Sequence, residues 1–446
     1  MNEGDEEAPQ RGESGSVFAW LALAFAVATA ALGALAFSYV FGGAGFGTDA
    51  SEVVVEDFDA ADVATGADTF QPQEPQVAEV ESQKPQVAEV ESLEAVDSAV
   101  SSSDFEIFGN SQMVLFVDGE FVALGIGRSG LAVGRSQDGL GWVTDPVEGI
   151  PQNAELGSIV RTSNGWATAM LLPGYISEGG SDAISLGLSE DLQTWTTTPL
   201  PLDDFDASPG SVFLQGMAAV GDQIAVLIGV DDQFGDSRAV VLAGHRDGAF
   251  EALEPPIRDG WFSGIASTSD RFLLLAHSDT DGVHILESPD GFTWSRSGDL
   301  AGVWTAEAIA TSGDRVVVNG THGSSGGFTS WVSQDSGQTF EAYVIDSALS
   351  EASGFTVSGP AGFATIVSGT RGDLEFDDIG NPIWEFEVWF SRDGRHWSPL
   401  TNGSQTIAGA GSRTDLAAVG GDEVVLFSAI LDDTGWSSEW ESISFE

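Results

Sequence analysis

The side chains in this sequence that could do chemistry are mostly carboxylates. The chain has 446 residues, with 69 Asp and Glu against 15 Lys and Arg, five His and no Cys. Without thiols there is no disulfide framework and no thiolate metal site. A net charge of −54 opposes non-specific nucleic-acid binding, which needs clustered basic residues to neutralise phosphates. The five histidines, His245, His277, His284, His322 and His396, are scattered, and no two have metal-ligand spacing, so each reads as structural or exposed. No phosphate loop, nucleophile elbow or Ser-His-Asp order is present. Two acidic stretches are denser than the rest. One holds Asp231, Asp232 and Asp236 beside Arg238, and the other holds Asp373, Glu375, Asp377 and Asp378 after Arg371. Carboxylates at alternate positions could hold Ca²⁺, but no twelve-residue calcium loop is present and no other metal or cofactor is indicated. A pair of carboxyl groups ~5–10 Å apart could hydrolyse a glycosidic bond.

The elements that must position these groups emerge from two interleaved repeats. The first is an apolar hairpin with a small polar turn, such as MVLFVDGEFVALG from Met113, MAAVGDQIAVLIG from Met217 and AIATSGDRVVVNG from Ala308. Seven such hairpins occur, the others starting at Ile159, Gly264, Phe355 and Leu416. Their Asp-Gly, Asn-Gly and Gly-Asp turns suit positive φ between β-prone runs. The second repeat is a polar turn around one Asp. Its copies are Ser136–Asp138–Trp142, Ser189–Asp191–Trp195, a shortened one at Asp247, then Ser288–Asp290–Trp294, Ser333–Asp335–Gly337–Phe340 and Ser391–Asp393–Trp397. Successive Asp residues are 53, 56, 43, 45 and 58 positions apart. Hairpin and Asp turn alternate, so each unit reads as strands a, b, c and d. Four antiparallel strands repeating at this period describe a β-propeller blade. The fold class is therefore all-β, a β-propeller of about seven four-stranded blades. The last unit lacks strand d, and Asp104–Phe108 is expected to supply it and close the ring.

The Asp turn resembles the Asp-box, or BNR repeat, Ser-x-Asp-x-Gly-x-Thr-Trp, of sialidase-like propellers. Gly141 and His396 stand where Thr is expected, Leu192 stands where Gly is expected, and the third copy is shortened. The resemblance spans about 340 residues. It implies that the box is a c–d turn that holds the fold, not a catalytic site. For an active sialidase it also implies an arginine cluster, a Tyr–Glu nucleophile pair and an Asp acid/base. Tyrosine is nearly absent: Tyr39 lies in an apolar run, Tyr343 follows an Asp turn, and Tyr175 alone lies on a b–c loop.

Ahead of the repeats the composition changes twice. Residues 1–16 read as a short polar tail. Residues 17–41 carry no charge and are long enough to cross a ~30 Å hydrocarbon core as a signal anchor. A cleaved signal peptide is the other reading. Arg11 precedes this run and no basic residue follows it until Lys84, which favours a cytoplasmic N-terminus with the propeller outside the cell membrane. Residues 42–103 are acidic, contain PQVAEVES twice, at Pro75–Ser82 and Pro85–Ser92, and read as a disordered spacer. Residues 104–446 form the propeller. The acidity reads as a solubility adaptation to salt or as a docking field for a basic partner. In a blade the a–b and c–d turns lie at one end and the long b–c loops at the other. Function therefore belongs with Tyr175, the two acidic loops, Arg238 and Arg371. The functional expectation is a membrane-anchored binding or scaffolding module for a protein or glycan ligand. The alternative is a glycoside hydrolase on the same fold, so the question of catalysis stays open.

Overall fold

The computed structural model describes residues 86–87, 95–102, 114–127, 130–152, 154–172, 183–201, 212–231, 237–253, 260–278, 282–323, 327–370, 384–400, 405–407, 412–432 and 435–445. The first two strands are β1 (Gln86–Val87) and β2 (Ala95–Ser102). Blade 1 then runs through β3 (Val114–Val117), β4 (Glu120–Gly127), β5 (Gly130–Ser136) and β6 (Val143–Pro146). Blade 2 is β7 (Glu155–Thr162), β8 (Gly165–Leu172), β9 (Ala183–Ser189) and β10 (Trp195–Pro199). Blade 3 is β11 (Val212–Val220), β12 (Gln223–Asp231), β13 (Ser237–His245) and β14 (Phe250–Leu253). Blade 4 is β15 (Gly260–Ser267), β16 (Phe272–Ser278), β17 (Gly282–Ser288) and β18 (Ser295–Asp299). Blade 5 is β19 (Val303–Ser312), β20 (Arg315–His322), β21 (Phe328–Ser333) and β22 (Glu341–Val344). Blade 6 is β23 (Ser350–Gly359), β24 (Gly362–Thr370), β25 (Trp384–Ser391) and an outer strand in two pieces, β26 (Ser398–Pro399) and β27 (Gln405–Ile407). Blade 7 is β28 (Ser412–Val419), β29 (Glu423–Asp432) and β30 (Gly435–Phe445), with β2 as its fourth strand. This is the seven-bladed propeller of four-stranded blades that the repeats predict.

The blades are held by packing between their faces. Seven apolar clusters are present among the described residues, and each joins two neighbouring blades. Strands b and c are covered on both faces, which is why they read as continuous apolar runs such as Leu273-Leu274-Leu275 and Val316-Val317-Val318, all fully buried. The cluster that closes the circle puts Phe121 and Ala123 of blade 1 against Val425, Phe427 and Trp440 of blade 7. At the same seam Gly139 lies at φ +71°, and a Cβ there would come 2.2 Å from Val425. Only glycine permits both the left-handed turn and this approach.

Closure differs from expectation in one respect. The strand that completes blade 7 is Ala95–Ser102, paired antiparallel with Glu439–Phe445, and Asp104–Phe108 lies outside the described residues. Strands β1 and β2 both fall within 42–103, the stretch expected to be spacer, and β1 pairs in parallel with the outer edge of blade 5. The composition of the whole stretch masks a short alternation, AVDSAVSS, that is able to pair. Residues 17–41 also lie outside the described residues; among the described residues no helix is long and apolar enough to cross a membrane.

A protein beginning at Leu93 should keep the melting temperature of the full chain. One beginning at Ser103 should melt lower and self-associate, because the edge of β30 is left unpaired. Calorimetry with size-exclusion chromatography compares the two, and equal melting temperatures would return the closing role to a later segment.

Candidate functional site

The two ends of the propeller are chemically different. At the tight-turn end, five Asp turns share one hydrogen-bond pattern. Asp138 Oδ1 accepts from the N–H groups of Leu140 and Gly141, both at 2.9 Å, and from the Ser136 hydroxyl at 3.0 Å. Asp191 does the same with Gln193, Thr194 and Ser189, and Asp290 with Phe292, Thr293 and Ser288. Asp335 takes Gln338, Thr339 and Ser333, and Asp393 takes Arg395, His396 and Ser391. The tryptophans add a second bond. The indole N–H groups of Trp142, Trp195, Trp294 and Trp397 donate to the carbonyls of Gly139, Leu192, Gly291 and Gly394 respectively, at 2.7–2.9 Å. Phe340 has no such donor and packs apolarly with its own inter-blade cluster. Gly337 donates its N–H to Ser333 Oγ at 2.8 Å. Leu192 takes φ +70° without being glycine, and its side chain is buried in the cluster between blades 1 and 2.

These bonds hold the carboxylates ionised. The N–H of Gly141 is the main cause of the lowered pKa of Asp138, and those of Thr194 and Thr293 act likewise on Asp191 and Asp290. For Asp335 and Asp393 burial works the other way, and it is outweighed by the hydroxyl and N–H of Thr339 with Ser333 and Gln338, and by the N–H groups of His396 and Arg395 with the His396 ring, respectively. The third turn lacks this arrangement, which corrects the structural role expected of Asp247. There Arg246 ties blade 3 to blade 2, donating to Thr162 Oγ1 at 2.7 Å and to the Ser189 carbonyl at 3.2 Å. A cleft of about 590 Å³ beside it is lined by Asp191 and Arg246, both already committed, with Glu190 and Asp247. The channel at this end is a cavity of about 410 Å³ with a mostly apolar lining that includes Phe116, Val160, Ala219 and Val357. Its Arg161 is stacked 4.6 Å over Trp166.

The opposite end collects the b–c loops and the d–a connections. Tyr175, Asp232, Asp236, Arg371, Asp373, Glu375, Asp377 and Asp378 lie outside the described residues. Asp231 and Arg238 are placed by their backbones at the b–c end of blade 3, where Asp231 pairs with Ser237 and Arg238 with Val230. Tyr343 sits on the outer strand of blade 5, its hydroxyl donating to Glu341 at 2.6 Å, away from the channel. Among the described residues no group of three His, Asp or Glu could hold a metal ion.

What the repeats did not reveal is a second pattern on the innermost strands. Strands β7, β11, β15, β19, β23 and β28 each shift register at least once against their neighbour. Such bulges re-aim side chains and cluster beside active sites. In blades 3, 4 and 5 the residues passed over include Gln215, Ser263 and Glu307. Just ahead of these, at the loop end, stand Phe213, Trp261 and Trp304, which are 40%, 51% and 74% exposed. Three consecutive blades thus present an exposed aromatic ring followed by a polar bulge residue. The sequence signal is faint: VFLQG, GWFSG and VWTAEA immediately precede three consecutive hairpins.

Two of the three rings are seated. Phe213 lies over Gly229, where a Cβ would come 2.0 Å from the ring. Trp261 stacks on His277, with centroids 4.6 Å apart and planes 10° apart. His277 Nε2 is 2.8 Å from Ser263 Oγ, and a hydrogen bond to the backbone of Ala306 reaches blade 5. Burial holds the His277 ring down to about 4, so it is neutral at pH 7. Glu307 accepts from the N–H of Gly354 in blade 6. Burial pushes its carboxyl up to about 7 against the pull of Gly354 and of the Thr305 hydroxyl, and no charged side chain among the described residues contributes. Gln215 Oε1 is buried without a hydrogen-bond partner among the described residues.

Asp335→Ala should destabilise the protein by about 1–3 kcal/mol in urea unfolding, whereas Asp247→Ala should stay within about 0.5 kcal/mol. Glu307→Gln tests the buried carboxyl. Glu307 has a folded pKa raised to about 7, so its contribution is intact below its unfolded pKa and is lost as pH rises through about 7. The variant should match the parent near pH 4 and become the more stable protein above pH 7, by at most about 3 kcal/mol at 1.36 kcal/mol per unit. A pH-independent difference would contradict this.

No family model matches the chain, and no curated protein matches it. Solved structures similar to it include a mutant Trypanosoma rangeli sialidase with trans-sialidase activity, at 14% identity over 77% of this chain and 58% of that one, with a TM-score of 0.39. They also include an ulvan lyase from a new polysaccharide lyase family, at 11% identity over 77% and 95% of the two chains, with a TM-score of 0.43. A third is the six-bladed Aleuria aurantia lectin, with its fucose recognition mode, at 12% identity over 70% and 96%, with a TM-score of 0.40. The chain spans less than two thirds of the sialidase's length. It is similar to a range of propellers that includes sialidases, and what each of those proteins binds or cleaves is its own property.

Proposed function

We propose that this propeller is a binding module that takes a glycan chain across the loop-side mouth of its channel. The observation that carries this reading is the row of exposed aromatics, Phe213, Trp261 and Trp304, at matching places on three consecutive blades. Flat aromatic faces suit the C–H faces of sugar rings, and large apolar side chains left in water commonly mark ligand surfaces. Neighbouring blades are sheets packed face to face on the order of 10 Å apart, so the row suits an extended oligosaccharide that contacts it at every second ring. Gln215 and Ser263 beneath the rings suit sugar hydroxyls, and the buried, unpartnered Oε1 of Gln215 would accept a hydrogen bond from one. Among the described residues no second carboxylate acts on Glu307, which favours the expected scaffolding or binding role over a paired-carboxylate hydrolase. The charge-free run at 17–41 and the acidic stretch after it support display outside the cell membrane on a single span.

Titration with neutral β-1,4-linked hexasaccharides, followed by tryptophan fluorescence, tests the reading. Trp261→Ala and Trp304→Ala should each weaken binding tenfold or more, equivalent to at least about 1.4 kcal/mol, with Trp304→Ala leaving the melting temperature unchanged. Binding that survives both substitutions would place the site elsewhere.

A further inference from the structure

We infer that the glycan taken by this face is cationic, an oligosaccharide of hexosamine units with free amino groups, and that Glu307 is the residue that reads the charge. The inference rests on the binding reading above and names its ligand class. Three observations carry it. First, Glu307 is a half-buried carboxyl on the innermost strand, three residues after Trp304, and it has no cationic partner among the described residues. A carboxylate taken from water and left unpaired is unfavourable unless something brings it a positive charge. Its present partners, the Gly354 N–H and the Thr305 hydroxyl, are neutral donors.

Second, the aromatic faces of the same row attract cations as well as sugar rings. An indole holds an ammonium group over its ring quadrupole more strongly than any other side chain. Trp261 and Trp304 are the most exposed large apolar residues of this row.

Third, the described cationic side chains are mostly engaged away from this row, Arg238 being placed at this end by its backbone alone. Most described arginine side chains are engaged at the turn end or along the blades. Examples are Arg135 with Glu120, Arg271 with Asp270 and Glu287, and Arg395 with Glu341. Arg246 is held by Thr162 and the Ser189 carbonyl. The imidazole nearest the row, His277, is buried and neutral at pH 7, and His322 stacks on Trp331. The net charge of −54 adds a long-range field that draws in cations and repels anionic sugars. That field alone is unspecific, and Glu307 supplies the local discrimination.

The test compares two hexasaccharides of equal length, one of glucosamine and one of N-acetylglucosamine, by isothermal titration of the full chain at pH 6.5 in moderate salt. The parent protein should prefer the glucosamine chain tenfold or more, with one chain per propeller. Glu307→Gln should bring the two affinities within about twofold, about 0.4 kcal/mol, without weakening the N-acetylated ligand. Equal binding of both sugars by the parent overturns the inference and leaves the glycan reading standing; no binding of either overturns both. A preference that survives Glu307→Gln assigns it to the overall field and also overturns the inference. The parent comparison needs no variant, so a Glu307→Gln protein that failed to fold would still leave the inference open to refutation.

Discussion

Each blade needs a neighbour on both of its faces, and the rest of this structure depends on that constraint. A four-stranded sheet with apolar residues on both sides cannot be covered by water, and a single hairpin or blade would be marginal alone. Stacking blades face to face covers all but two faces, and bending the stack into a circle covers those as well. The seam between Phe121 of blade 1 and Trp440 of blade 7 is therefore energetically equivalent to the other six. It is joined covalently by neither adjacent strand nor turn, so an N-terminal strand must cross it. Pairing of β2 with β30 converts an open row into a ring in which each blade supports the next.

The same constraint explains why the Asp turns are so regular. Blade packing fixes the separation of c–d corners, and each corner must reverse the chain within a few residues while presenting a large indole to the next sheet. A carboxylate accepting two N–H groups satisfies the backbone of the reversal locally. The indole N–H, folded back on the fourth residue's carbonyl, buries its polar atom at no loss of a hydrogen bond. A fully buried ring such as Trp397 contributes roughly 1.5–3 kcal/mol through its burial. Where the carboxylate geometry is missing, in blade 3, the Arg246 bonds across to blade 2 stabilise the corner from outside it.

How much of this could be read from the residues follows the range of the interactions. Hairpins and Asp turns are local: the donors and acceptors lie within four residues of one another, so spacing in the chain is spacing in space. The seven-blade circle followed from those units alone. The closing strand was misplaced because Ala95–Ser102 owes its conformation to a partner about 340 residues away, and its own pattern of small residues says little. The mouth of the channel was missed for a related reason. Gln215, Ser263 and Glu307 are set apart by a slip in register against strand b, a relation between two strands. Phe213, Trp261 and Trp304 are distinguished by exposure, which no spacing encodes. Their aromatic character alone suggests a core.

Regularity and function therefore separate along the axis of the ring. At the turn end, acceptors and indoles are consumed by the reversal of the chain, and arginines bridge the blades, so little is left to meet a ligand. At the loop end, the innermost strands tolerate extra residues. The bulges that those residues create lift polar groups out of the ladder, Gln215, Ser263 and Glu307 on blades 3, 4 and 5 among them. A fold with sevenfold repetition would otherwise offer seven weak, equivalent sites. Among the described residues, exposed aromatic rings, an unpartnered amide oxygen and a desolvated carboxyl fall on three adjacent blades, 3, 4 and 5, and so break that equivalence.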